Sequence, residues 1–254
     1  MKARRRSAAL GSFPIDVSGA LAQKLELDTR SKLLKAGITV FSDHGFAGGS
    51  IRQIADLAGT NIAAVTYHYG SKKELWKAVF IHLQDRLIEA IFIDEDKWRD
   101  MTAYERGKNT TRNYVRFCAR HPELHRITMF ETIHGGEMLE WMNEQRLSLF
   151  SQKSMEWVSL AQQEGVYPLD VSTIHLHFIT THASNSIFLM APHIKSTFGI
   201  DVFEDKQIDK FTDAIISLFL NSNAEADLDA LGPASPKVPA LEELTSKAGH
   251  SDSS

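Results

Sequence analysis

The sequence predicts an all-α protein, and three observations carry that reading. Of seven prolines, Pro14 lies near the start and Pro233, Pro236 and Pro239 near the end, so only Pro122, Pro168 and Pro192 interrupt the long middle. No stretch there alternates apolar and polar residues between turn dipeptides, as exposed strands do. Capping residues followed three places later by Glu or Gln recur at Ser50–Gln53, Ser71–Glu74, Thr102–Glu105 and Asp201–Glu204, each a signature of a helix N-terminus.

The elements follow in order. Asp28 is expected to cap a helix over 29–44, with Leu33, Leu34, Gly37, Val40 and Phe41 as its buried stripe. Short helices follow at 51–58 and 62–69, then longer ones at 72–93, 102–120, 122–133 and 137–164. Asp170 is the expected cap of a helix over 171–195, kinked by Pro192, and Asp201 opens the last one, 205–221. The stops are Gly45, Gly59, Gly70, Gly135-Gly136, Gly165 and Gly199. About nine helices result, in an N-terminal three-helix unit and a C-terminal bundle. The expected division is a basic disordered arm (1–24), a first domain (25–76), a second domain (77–222) and a disordered acidic tail (223–254).

Charge and composition limit the function classes. The single cysteine, Cys118, excludes an internal disulfide and any multi-cysteine metal centre, and fits a cytoplasmic protein. No apolar run approaches the roughly 20 residues that span a bilayer, so no membrane partner is expected. The formal charge of −4 is concentrated in residues 223–254, where six acids face two bases. The first 222 residues are therefore neutral overall, with Lys2, Arg4, Arg5 and Arg6 clustered at one end, and a local nucleic-acid face remains open.

Residues 28–76 hold the most specific pattern. Two helices of about two turns meet at Gly59-Thr60-Asn61, which is the architecture of a helix-turn-helix. Ile54, Ala55 and Ala58 are expected to face inward from the first, and Ile62, Val65 and Tyr69 to pack back from the second. Asn61, Ala63, Ala64, Thr66, Tyr67 and His68 are left facing out. No charged residue lies between Ala58 and Gly70, although a solvated helix would normally carry Lys and Glu. Such a surface suits the DNA major groove. Ala and Thr methyls can meet thymine methyls, Asn61 can read a base edge, and Tyr67 and His68 can donate to phosphates.

Ser50-Ile51-Arg52-Gln53-Ile54-Ala55, followed by Ala58-Gly59-Thr60-Asn61-Ile62-Ala63-Ala64-Val65-Thr66-Tyr67-His68-Tyr69-Gly70-Ser71-Lys72-Lys73-Glu74-Leu75, resembles the DNA-binding domain of the tetracycline-repressor (TetR) family. It is most similar to the branch reading Ala-Ala-Val-Asn-Tyr-His-Phe-Gly-Ser-Lys, with Thr66 in place of the Asn and Tyr69 in place of the Phe. The resemblance implies a regulator, not an enzyme, that binds double-stranded operator DNA as a homodimer and is released by a small-molecule effector. It assigns phosphate contact to Ser50, Tyr67, His68 and Lys72, and base reading to the Thr60–Thr66 face. Arg52 completes the DNA-binding set. A repressor on a palindromic operator is the expected form, with no cofactor.

In that family the C-terminal region holds a ligand pocket and dimerises through its last two helices, here 171–195 and 205–221. The stripe Phe211, Ile215, Leu218 and Phe219 suits a partner helix, although packing within one subunit would produce the same stripe. His121-Pro122-Glu123-Leu124-His125-Arg126 and Glu131-Thr132-Ile133-His134-Gly135 are similar to the effector domain of the family's pyrimidine-utilisation regulators, which suggests a small polar effector. The candidate pocket residues are Met129, Phe130, Trp141, Trp157, His177, Phe178, His182 and Asn185. Two alternatives compete: a helical metalloprotein enzyme using Glu131 and His134, and a protein-interaction bundle. Glu131 and His134 have the spacing of a di-iron ligand pair, but a second Glu-x-x-His is missing.

Overall fold

The computed structural model describes residues 17–91 and 100–221, with side chains from residue 27 onward. Among the described residues all regular structure is helical: α1 (Val17–Gly48), α2 (Ile51–Leu57), α3 (Ile62–Tyr69), α4 (Lys72–Ile91), α5 (Ala103–Arg120), α6 (Pro122–His134), α7 (Glu137–Met142), α8 (Ser148–Gln163), α9 (Thr173–Leu189), α10 (Ala191–Phe198) and α11 (Asp205–Phe219). The Arg4–Arg6 cluster, positions 92–93 of the expected fourth helix, and the acidic tail lie outside the described residues.

Local chemistry accounts for most helix ends. Ser50 and Thr102 close full capping boxes with Gln53 and Glu105, satisfying amides that a helix N-terminus would leave unpaired. Ser71 Oγ accepts the Glu74 N–H at 3.1 Å. The α2–α3 turn is a Schellman closure. Thr60 N–H donates to Ala55 O at 2.9 Å and Gly59 N–H to Asp56 O at 3.2 Å, with Gly59 at φ 66°.

Several expected boundaries move. α1 begins at Val17, so residues 17–24 are helix and the expected arm is shorter; Ala20, Leu21, Ala22 and Leu25 are strong helix formers. Asp28 therefore caps nothing and pairs one turn on with Lys32, at 2.6 Å. Ser172, not Asp170, caps α9, its side chain accepting from His175 N–H. Asp201 accepts from Phe203 N–H at 3.1 Å ahead of α11, whose own N-cap is Glu204. The expected helix 171–195 breaks at Met190, because Pro192 in the first turn of α10 supplies no N–H and crowds the preceding turn. A π-helical turn, Asn143–Leu147, interrupts the expected helix 137–164 and carries Arg146, which is 5% exposed and donates to Asp85 Oδ1 of α4 at 2.8 Å.

The boundary expected at residue 76 falls inside α4. Leu75, Trp76, Val79, Phe80, Leu83, Leu87, Ile88 and Ile91 are all buried along it, and one apolar core runs from Leu33, Phe41, Ile54 and Val65 through α4 to Val115, Leu124, Met142 and Phe188. Head and body therefore share a helix rather than a linker. On α11 the buried face is Ile208, Thr212, Ile215 and Ile216; of the expected stripe, Leu218 is 76% exposed.

Candidate functional site

The helix-turn-helix is built around Ile54, Ala55 and Val65, all at or below 1% exposure. Ile62, expected to pack inward, is 50% exposed, because as the first residue of α3 it lies beyond the contact with α2. Tyr69 is half-buried and donates its hydroxyl to Arg30 O at 2.8 Å, with the Arg30 guanidinium 5.4 Å from its ring centroid, tying α3 to α1.

This packing turns the opposite face of α3 outward. Asn61, Ala63, Thr66 and Tyr67 are exposed, Tyr67 by 73%, while Ala64 and His68 are half-buried. Asn61 is the N-cap: its Oδ1 accepts from Ala64 N–H at 2.9 Å, so its amide nitrogen is the group left to point outward. Thr66 Oγ1 reaches back to Ile62 O at 3.5 Å, and the Tyr67 and His68 rings meet edge to face at 5.0 Å. Thr60 is half-buried in the turn.

Ser50 spends its hydroxyl on the α2 cap, and Arg52 lies exposed on the next turn, 4.0 Å from Asp56. Lys72 does not extend freely. Its ammonium lies 4.6 Å from the Phe46 ring centroid and donates to Ala47 O at 3.4 Å, and burial lowers its pKa against a smaller opposing effect of Glu131. The first turn of α4 thereby sits against the α1–α2 corner.

The corner is where body meets head. Gly45 kinks α1 at φ 64°, ψ −177°, and a Cβ there would lie 2.7 Å from the Phe130 ring of α6, so both conformation and space require glycine. Immediately after it, Phe46 N–H donates to Glu131 Oε1 at 2.8 Å, a carboxylate buried in α6. Lys73 pairs with Glu137 of α7, and Arg126 lies 3.8 Å from Asp43. Glu131 is thus a structural acceptor, while His134 Nδ1 lies 2.7 Å from Phe130 O. Both residues considered for a metal pair thus have partners within the protein. No group of three or more His, Cys, Asp or Glu suited to a metal occurs among the described residues.

In the body a cavity of about 160 Å³ opens between the end of α4 and helices α5, α8 and α9. Of the eight expected pocket residues only Trp157 lines it. His177 and Asn185 stand one layer behind. His177 Nδ1 is 2.9 Å from Ser154 Oγ, and Asn185 Nδ2 is 3.3 Å from His125 Nδ1. The other five lie elsewhere. Met129 is half-buried on α6, Phe130 stacks on His134 beside the corner, and Trp141 packs against Trp76 and Phe80. Phe178 and His182 are exposed on α9. The cavity wall instead uses Arg106, Thr110, Thr111 and Tyr114 of α5, and Thr180, Thr181 and Ser184 of α9. The available signal was the pair of Thr-Thr doublets in mid-helix, where β-branched hydroxyl residues are poor helix formers.

Tyr114 joins this wall to α6. Its ring meets that of His125 edge to face, centroids 5.8 Å apart, and Cys118 Sγ lies 3.2 Å from His125 Nε2. Burial pushes the Tyr114 phenol and the Cys118 thiol up and holds the His125 imidazole down at about 4. All three are therefore neutral at pH 7.

An exposed, charge-free second helix on a tightly capped two-helix unit defines the class: a helix-turn-helix DNA-binding regulator. Residues 33–79 match the family described as bacterial regulatory proteins, tetR family. The HTH-type transcriptional repressor NicS of Pseudomonas putida is 30% identical over 168 residues, 64% of this chain and 76% of that protein. The HTH-type transcriptional regulator RutR of Escherichia coli is 23% identical over 171 residues, 67% of this chain and 78% of that one. The solved structure of HlyIIR, a hemolysin II transcriptional regulator, shares the fold with TM-score 0.54 at 22% identity, covering 77% of this chain and 99% of that chain. That of the fatty acid degradation regulator FadR from Bacillus halodurans does so with TM-score 0.55 at 13% identity, over 74% and 94%. The chain belongs to the TetR family of transcriptional regulators. No described helix is long and apolar enough to cross a membrane.

Proposed function

We propose that the protein is a repressor that binds a palindromic operator as a homodimer and leaves it when a small molecule occupies the α5–α8–α9 cavity. The observation that carries this is the outward face of α3, free of Lys, Arg, Asp and Glu, on a head that shares α4 and one apolar core with the body that holds the cavity. Exposed Ile174, Phe178 and Ile179 on α9, with Leu218 on α11, supply the apolar surface for the second subunit. Two-fold symmetry would set the two α3 helices about 34–36 Å apart, one turn of DNA. Occupancy of the cavity would reach the head through Tyr114, the α6 helix and the Glu131–Phe46 bond, shifting the spacing by a coupling of about 1–3 kcal/mol.

Binding of the full-length protein to DNA from upstream of its own gene, followed by fluorescence anisotropy, tests the reading. Tyr67→Ala and Lys72→Ala should each weaken binding about tenfold, across specific and non-specific sequences alike, and Lys72→Ala should reduce the salt slope by about one. Unchanged affinity in both variants at moderate salt would overturn the assignment of the contact surface.

A further inference from the structure

The α5–α8–α9 cavity also limits what can fill it. Its volume of about 160 Å³ is close to the roughly 150 Å³ that accommodates a molecule of benzene size. Phe150, Trp157, Ile88 and Ile91 supply flat and aliphatic walls.

Charge is the second constraint. Arg106 is held by Glu164, both side chains 12% exposed, and donates a further bond to Met101 O at 2.8 Å. Lys153 is held by Glu156 at 3.1 Å. Among the described residues, every charged side chain on the wall is thus already matched by the protein itself. An anion could reach Arg106 only by displacing Glu164, leaving a carboxylate shielded from water without its partner; a cation taking Glu164 would strand Arg106 in the same way. An uncharged molecule disturbs neither pair.

The third constraint is hydrogen bonding. Thr180 returns its hydroxyl to Leu176 O at 2.7 Å. The side-chain hydroxyls of Thr110, Thr111, Thr181 and Ser184, which line the cavity, make no hydrogen bond to another described residue. A hydroxyl can both donate and accept, so this wall suits a ligand whose edge offers both.

We infer that the cavity takes an uncharged single-ring molecule bearing amide or hydroxyl groups on its rim. The inference rests on reading this cavity as the effector site and names the chemical class of its occupant.

The test uses full-length protein and a matched panel of benzamides, benzoates and benzamidines, which keep one ring and change only the charge. Thermal shift and titration calorimetry should find benzamides raising Tm and binding at least tenfold tighter than the charged partners. Charged members binding equally well or better, or no member binding, overturns the inference. Glu164→Gln, which removes the carboxylate that neutralises Arg106, should gain at least tenfold in benzoate affinity while benzamide changes less than threefold. Failure to gain, in a folded variant, also overturns it, and the wild-type panel decides if the variant does not fold. The same compounds are then added to the protein–DNA complex. A benzamide that binds the protein without releasing DNA leaves the ligand class standing and removes only the effector reading.

Discussion

α3 and α9 both lack Lys, Arg, Asp and Glu over their whole length, yet they show solvent different surfaces. The outer face of α3 carries an amide, an alanine, a threonine hydroxyl and a phenol: Asn61, Ala63, Thr66 and Tyr67. That of α9 carries Ile174, Phe178 and Ile179, each about half exposed, beside His175 and His182. Lack of charge marks both as surfaces that an isolated soluble helix would not keep. The residue types then separate their partners. Small polar groups can exchange water for base edges and phosphates, whereas large apolar groups gain only by leaving water altogether.

The inner faces differ as well. α3 rests on the head through Val65 alone among its fully buried residues, while α9 buries Leu176, His177, Ser184, Asn185 and Phe188. A recognition helix is anchored at one point and its ends. A helix between a cavity and an outer surface must satisfy polar groups on its buried side too.

The sharpest way to break the comparison is Phe178→Asp. A carboxylate in the centre of an apolar contact should weaken self-association by 100-fold or more, roughly 3 kcal/mol, read by sedimentation velocity. Dimers persisting at micromolar concentration would remove α9 from the interface. The next test concerns the inner side of α9, where Asn185 meets His125. Burial holds that imidazole at about 4, below its ordinary 6.5. Between those values the unfolded chain binds a proton that the native state refuses. Stability should therefore fall as pH drops from about 6.5 toward 4, by on the order of 3 kcal/mol. Urea unfolding at pH 7 and pH 4.5 measures the drop, which His125→Phe should reduce; an equal drop in the variant would clear His125. The smallest effect belongs to the corner between the two regions. Glu131→Gln keeps an acceptor for Phe46 N–H but loses the charge, costing about 1 kcal/mol and a few degrees in Tm. Ligand-driven release of DNA should weaken alongside, and release at wild-type strength would exclude the Glu131 carboxylate from the coupling.

The head was legible in advance because its signals are short-range. Ser50–Gln53, the Gly59 turn and the spacing of Ile54, Ala55 and Val65 act within one or two helical turns, and all appear where the pattern places them. Pattern reading failed where a side chain's direction depended on a distant neighbour. Ile62 has the right spacing to pack inward and points outward; Trp141, taken as a pocket residue, packs against α4. Large aromatic residues drew attention as a pocket; Phe150 and Trp157 do line it, but so do Thr110, Thr111, Thr180, Thr181 and Ser184.

By itself the chain of residues determined the helical class, most helix ends, the charge-free α3 and the family it belongs to, since caps, turns and heptad-scale spacing need only near neighbours along the backbone. Tertiary structure alone decided that Glu131 grips Phe46 from 85 positions away, that Gly45 must clear Phe130, and that Thr110 and Thr181 face one cavity. Those choices come from how helices cross and which faces meet, and a sequence does not encode them in any window short enough to read.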